Sequence, residues 1–71
     1  MYMYDVNCIG REDVISFTNM SYINVLELLD DFGTGYQLDI KNTKTGKKYK
    51  ITGKDAREFF EKEEGKYKGE E

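Results

Sequence analysis

Tyr2, Tyr4, Val6 and Cys8 alternate with Met3, Asp5, Asn7 and Ile9, and this two-residue period gives way beyond Ser21 to a helical one. The switch of period constrains the fold more than any other feature. A half-buried strand needs the first period, an amphipathic helix needs the second, and neither tolerates the other. Gly10-Arg11-Glu12-Asp13 reads as a polar turn. Val14-Ile15-Ser16-Phe17-Thr18, rich in β-branched and aromatic residues, pairs back as a first hairpin or, being short, stays a loop.

Ser21 to Phe32 carries the helix. Ser21 suits the N-cap, and Met20 before it is placed to staple onto Val25. Tyr22, Val25, Leu26, Leu29 and Phe32 share one face, widened by Ile23 and Leu28, with Asn24, Glu27 and Asp31 opposite. Gly33 is expected to end it in the left-handed conformation. Two further alternating runs, Tyr36-Leu38-Ile40 and Tyr49-Ile51, flank the polar stretch Asn42 to Lys47, where Gly46 suits a hairpin loop. Thr52-Gly53-Lys54-Asp55 has the form of a capping box. Ala56, Phe59 and Phe60 then supply the stripe of a second helix that Gly65 stops.

The order is therefore β-β-α-β-β-α. It implies a single α+β domain over residues 1–65, an antiparallel sheet with both helices on one face, followed by a polar tail, 66–71, expected to be disordered. A chain of 71 residues buries only ~60% of the surface its unfolded form exposes, so its core is thin. Cys8 is the sole cysteine and histidine is absent, which excludes a disulfide or a zinc site as reinforcement. A homodimer that completes the core fits these limits.

The same inventory argues against an enzyme. There is no imidazole base, Cys8 has no activating neighbour, and adjacent residues on a helix point apart, so none of the pairs Glu12-Asp13, Asp30-Asp31 and Glu63-Glu64 is preset to share a metal or a proton. These carboxylates read as solvated faces and helix ends. Gly33-Thr34-Gly35 follows a helix carboxyl end, where anions are disfavoured, so it is a turn rather than a phosphate cradle. No cofactor is implied. Cys8 is expected to be a buried small hydrophobe.

The amino terminus lacks the blocks of a secretory signal, and no apolar run reaches the ~20 residues that span a bilayer. No membrane association is expected, and a cytoplasmic setting suits the lone thiol. The Asn19-Met20-Ser21 sequon is then a chance match. Phe, Tyr, Met, Ile, Asn and Lys number 31 against 10 for Gly, Ala, Arg and Pro, a bias that points to a low-GC genome.

Charge is segregated along the chain. Residues 1–40 hold seven acids and Arg11, a net of −6; Lys41 to Lys54 holds six lysines and no acid; residues 55–71 return to −3. Two candidate surfaces follow. Lys41, Lys44, Lys47, Lys48, Lys50 and Lys54 cluster on and beside the hairpin, with Gln37, Asp39, Lys41, Lys48 and Lys50 in phase with the sheet face away from the helices. Glu27, Asp30, Asp31, Glu58 and Glu61 form an acidic alternative on the helices, extended by Glu63, Glu64, Glu70 and Glu71. Exposed lysines also blunt strand edges and keep a small protein soluble.

The expectation is a non-catalytic protein that occupies a macromolecular surface, such as a regulator or inhibitor carried by a phage or mobile element and aimed at a host nucleic-acid-handling or defence protein. The alternative is sequence-nonspecific binding of nucleic acid through the lysine hairpin. No arginine lies in the lysine window to read guanine, and Tyr36 and Tyr49 are in phase with the core.

Overall fold

The computed structural model describes residues 2–32 and 34–65. Six elements follow in the expected order: β1 (Tyr4–Ile9), β2 (Val14–Met20), α1 (Tyr22–Phe32), β3 (Gln37–Asn42), β4 (Lys48–Thr52) and α2 (Ala56–Glu64). All neighbouring strands are antiparallel, in the spatial order β2-β1-β3-β4. The inner pair is thus β1 and β3, and both helices cover one face.

Side-chain alternation accounts for that layering. Tyr4, Val6 and Cys8 of β1, Leu38 and Ile40 of β3, and Tyr49 and Ile51 of β4 are all buried, and the register sets Val6 beside Ile40 and Cys8 beside Leu38. Against them pack Tyr22, Val25, Leu26, Leu28 and Leu29 from α1 and Ala56 and Phe60 from α2. Phe60 is the hub. Its ring meets Tyr4 edge-on at 5.4 Å, stacks on Tyr22 at 5.6 Å and meets Tyr49 edge-on at 6.2 Å.

The second strand forms and runs further than its sequence suggested. β2 reaches Met20, with a bulge between the Val6–Phe17 and Tyr4–Met20 pairs. Asn19 takes a left-handed φ of 55° there, and its N–H donates to Asp5 Oδ1 at 3.3 Å. Ser21 caps α1 as expected, accepting the Asn24 N–H on Oγ at 3.2 Å.

Several local expectations are corrected. Thr52-Gly53-Lys54-Asp55 is not a capping box: Thr52 stays in β4 opposite Gln37, and Asp55, the residue at the cap, makes no side-chain capping bond. Gly53, at φ 94°, spends its freedom on the strand-to-helix turn. Gly65 is right-handed, its N–H still donating to Glu61 O, so it does not end the helix by reversal. Ile23 is 58% exposed because it lies on the flank shared with Glu27 and Asp30, whereas Leu28 shares a flank with Phe32 and is buried. Phe59 is 45% exposed, because the core stripe of α2 runs through positions 56, 60 and 64. Gly33 and the tail 66–71, given roles above as helix stop and disordered segment, lie outside the described residues.

Truncating the hub, Phe60→Ala, is expected to cost about 3–5 kcal/mol by urea unfolding. The half-exposed Phe59→Ala should cost well under half as much, and equal losses would contradict the assigned stripe.

Candidate binding surface

The hairpin that carries the lysines is held by its own backbone and by Asn42. The Asn42 N–H donates to Lys47 O at 2.9 Å and the Gly46 N–H to Asn42 O at 2.8 Å. Asn42 Oδ1 accepts the N–H groups of Lys44 and Thr45 at 2.9 and 3.1 Å. Gly46 has the positive φ, 78°, that this loop needs. Thr43 donates through both its N–H and its Oγ1 to Met3 O at 3.0 Å, tying the loop to the residue before β1.

The structure divides the six lysines into three sets. Lys44 and Lys47 fold back: Lys44 Nζ lies 4.6 Å from the centre of the Tyr2 ring, and Lys47 Nζ lies 3.6 Å from Glu63 Oε1 and 5.7 Å from the Tyr49 ring. Lys54 stands alone in the turn before α2. Lys41, Lys48 and Lys50 are exposed on the sheet face opposite the helices. Among the described residues no carboxylate forms an ion pair with these last three.

Register makes that open face a grid. One row runs Asp5, Lys41, Lys48 and the next runs Asn7, Asp39, Lys50. Gln37 Nε2 donates to Asp39 Oδ1 at 2.8 Å, and Ser16 Oγ donates to Asn7 Oδ1 at 2.7 Å. Asp5, Asn7, Asp39, Lys41, Lys48 and Lys50 line a shallow depression across these rows. Its shape offers no enclosed cavity for a small substrate, and its side chains offer a mixed-sign, hydrogen-bonding plane.

The acidic alternative is partly assembled. Glu27, Asp30 and Asp31 are exposed on α1, and Glu58 and Glu61 on α2. Arg57 bridges the two helices, pairing through Nη1 with Asp30 and through Nε with Glu61 at 3.3 Å. The Asp30 carboxylate beside it raises the Arg57 pKa further. Asp30 and Glu61 are thereby tied to a cation of the same chain, which leaves Glu27, Asp31 and Glu58 as the exposed acids of the two helices without an ion pair among the described residues.

Glu64 is the residue that sequence reasoning misplaced. Counted among the solvated acids of the second helix, it is fully buried. Oε1 accepts from Tyr4 OH at 2.9 Å and from Asn42 Nδ2 at 2.8 Å, and Oε2 accepts from Tyr49 OH. Buried hydroxyls and amides require acceptors, and a buried carboxylate requires donors, so the four groups satisfy one another. Among the described residues no buried side-chain nitrogen or oxygen lacks a partner. Two signals for this were present in the chain: Glu64 continues the four-residue spacing of Ala56 and Phe60, and Tyr4, Tyr49 and Asn42 all fall in core-facing phase.

No described group of three or more histidine, cysteine, aspartate or glutamate side chains converges to hold a metal. Cys8 is buried in the core, and loss of hydration there raises its thiol pKa, away from the thiolate that nucleophilic chemistry needs. No described helix is long and apolar enough to cross a membrane. No protein-family model, curated protein or solved structure matches this chain.

Glu64→Ala removes the acceptor shared by two tyrosines and an asparagine and is expected to cost about 3–5 kcal/mol. Tyr49→Phe, which deletes one donor and keeps the ring, should cost about 1–2 kcal/mol in the same denaturant titration.

Proposed function

We propose that this chain is a small non-catalytic binding protein that acts by occupying a macromolecular surface. Its contact is the open sheet face, and its partner is a protein. Three exposed lysines on that face, Lys41, Lys48 and Lys50, have no carboxylate pairing with them among the described residues, and Asp5 and Asp39 are interleaved with them. That alternation of sign is the observation that carries the reading. A protein surface can present complementary charges to both lysine and aspartate, and such matching raises the on-rate and rejects wrong partners.

Nucleic acid is the second reading, supported by the same lysines. It is weaker on two grounds. A phosphate backbone laid along the grid would meet Asp5 and Asp39 as well as the cations. Tyr36 and Tyr49, the aromatics flanking the window, are turned to the helix side: Tyr49 is buried, and Tyr36 packs edge-on against Phe32 at 5.0 Å and donates to Asp13. Neither offers a stacking platform for bases. In its most concrete form the protein is a regulator or inhibitor carried by a phage or mobile element, a reading supported by its small size and low-GC residue usage.

The test is a triple reversal, Lys41→Glu, Lys48→Glu and Lys50→Glu, on exposed positions that leave the core untouched. Affinity capture from a low-GC bacterial lysate should recover a protein with the parent and lose it with the variant at unchanged circular dichroism. Mobility shift of random-sequence duplex and single-stranded DNA at about 50 mM salt should show no complex. A complex that weakens steeply with salt and disappears in the triple variant would transfer the function to nucleic acid.

A further inference from the structure

The two edges of the sheet are chemically unlike. The outer edge at β4 presents Lys48 and Lys50, the kind of charge that discourages strand addition. The outer edge at β2, Val14-Ile15-Ser16-Phe17-Thr18-Asn19-Met20, holds no charge, no proline and no glycine over seven residues. Its apolar side chains are also incompletely covered. Ile15, Phe17 and Met20 pack against the core yet remain partly exposed, and Val14 on the other face is 62% exposed. Among the described residues β2 thus has unfilled apolar surface on both sides of a backbone edge with which no other strand pairs.

We propose that β2 pairs antiparallel with β2 of a second copy of this chain, about a two-fold axis at Ser16, to make a continuous eight-stranded sheet. The occupant is a second copy because charge permits it here and forbids it at the other edge. Self-pairing of β4 would bring lysine rows together, whereas self-pairing of β2 joins uncharged residues. The register follows from the helix-side pattern. Centring on Ser16 sets Ile15 opposite Phe17 of the partner subunit twice over, an aromatic and β-branched combination that stabilises cross-strand pairs. It also sets Val14 opposite Thr18 on the open face.

The acidic turn that precedes β2 does not oppose this arrangement. Asp13 comes to lie opposite Asn19 of the partner subunit, so the two Asp13 residues sit about 20 Å apart at ~3.4 Å per residue, beyond a Debye length at physiological salt. The bulge near Asn19 ends the regular edge, which confines pairing to Val14–Thr18 and blocks slippage toward Met20. An isologous contact of this kind closes on itself and stops at two copies. A short strand pair is a small interface, so the dimer is expected to dissociate on dilution through the micromolar range.

Sedimentation velocity over a concentration series should show a monomer–dimer equilibrium. Ser16→Lys, an exposed change that places two cations on the two-fold axis, should weaken association about tenfold or more with the monomer's circular dichroism retained. Ser16→Cys should give a disulfide-linked dimer on mild copper-catalysed air oxidation, since directly opposed antiparallel residues lie about 4.5–5.5 Å apart; buried Cys8 provides the unlinked control in the parent chain. A monomer at every concentration, a dimer indifferent to Ser16→Lys that fails to crosslink through Ser16→Cys, or open-ended polymers would each overturn the proposal. Loss of dimerisation with retained partner capture would leave the open-face function standing, and the reverse result would leave the dimer standing.

Discussion

The fold depends on one buried carboxylate. Glu64 closes α2 onto the sheet by accepting from Tyr4 of β1, Asn42 of β3 and Tyr49 of β4, so one side chain reaches three strands and the helix that covers them. Asn42 extends the reach to the hairpin, because its other side-chain atom holds the Lys44 and Thr45 amides. Lying beside Phe60 on the same stripe, Glu64 follows the apolar hub with a polar one. Hydrophobic burial is non-directional, whereas four mutually satisfied polar groups admit very few geometries. In a core this thin, that network is what sets the position of the second helix rather than merely its attraction to the sheet.

The same network shapes the surface. By ordering the loop it brings Lys44 and Lys47 back onto Tyr2, Tyr49 and Glu63. Of the six lysines from Lys41 to Lys54, those left facing outward are Lys41, Lys48 and Lys50 on the open sheet face, with Lys54 in the turn. Arg57 does the corresponding work in the helix layer, where it draws Asp30 and Glu61 together. The protein thus has a mixed cationic plane on one side of the sheet and a partly compensated acidic layer on the other.

Much of this was legible in the residues and some was not. Alternation in β1, β3 and β4 and the helical stripe of α1, Ile23 excepted, identified the core, because burial on one face is a periodic property of local sequence. The cap of α1 at Ser21 was legible for the same local reason. The readings that failed concern groups whose neighbours come from elsewhere. Thr52 has the local pattern of a cap, yet the opposing strand holds it at Gln37. Glu64 has the local pattern of a solvated acid, since its donors lie 60, 22 and 15 residues away in the chain. Of the site, the open-face register of Asp39, Lys41, Lys48 and Lys50 is readable, while the folding back of Lys44 and Lys47 needs rings and a carboxylate from other elements.

The amino-acid sequence by itself determined the order of strands and helices, the inward faces of β1, β3 and β4, the presence of one cysteine and no histidine, and the run of six lysines without an acid from Lys41 to Lys54. These follow from periodicity and inventory, which need no partner to be read. Only the tertiary structure decided that β1 and β3 are the inner strands, that β2 lies at an edge, that Asp5 joins Asp39 among the lysines, and that Glu64 is the polar centre of the core. Each of those depends on which distant residues come to lie side by side, and such pairings are set by packing and strand register rather than by local composition.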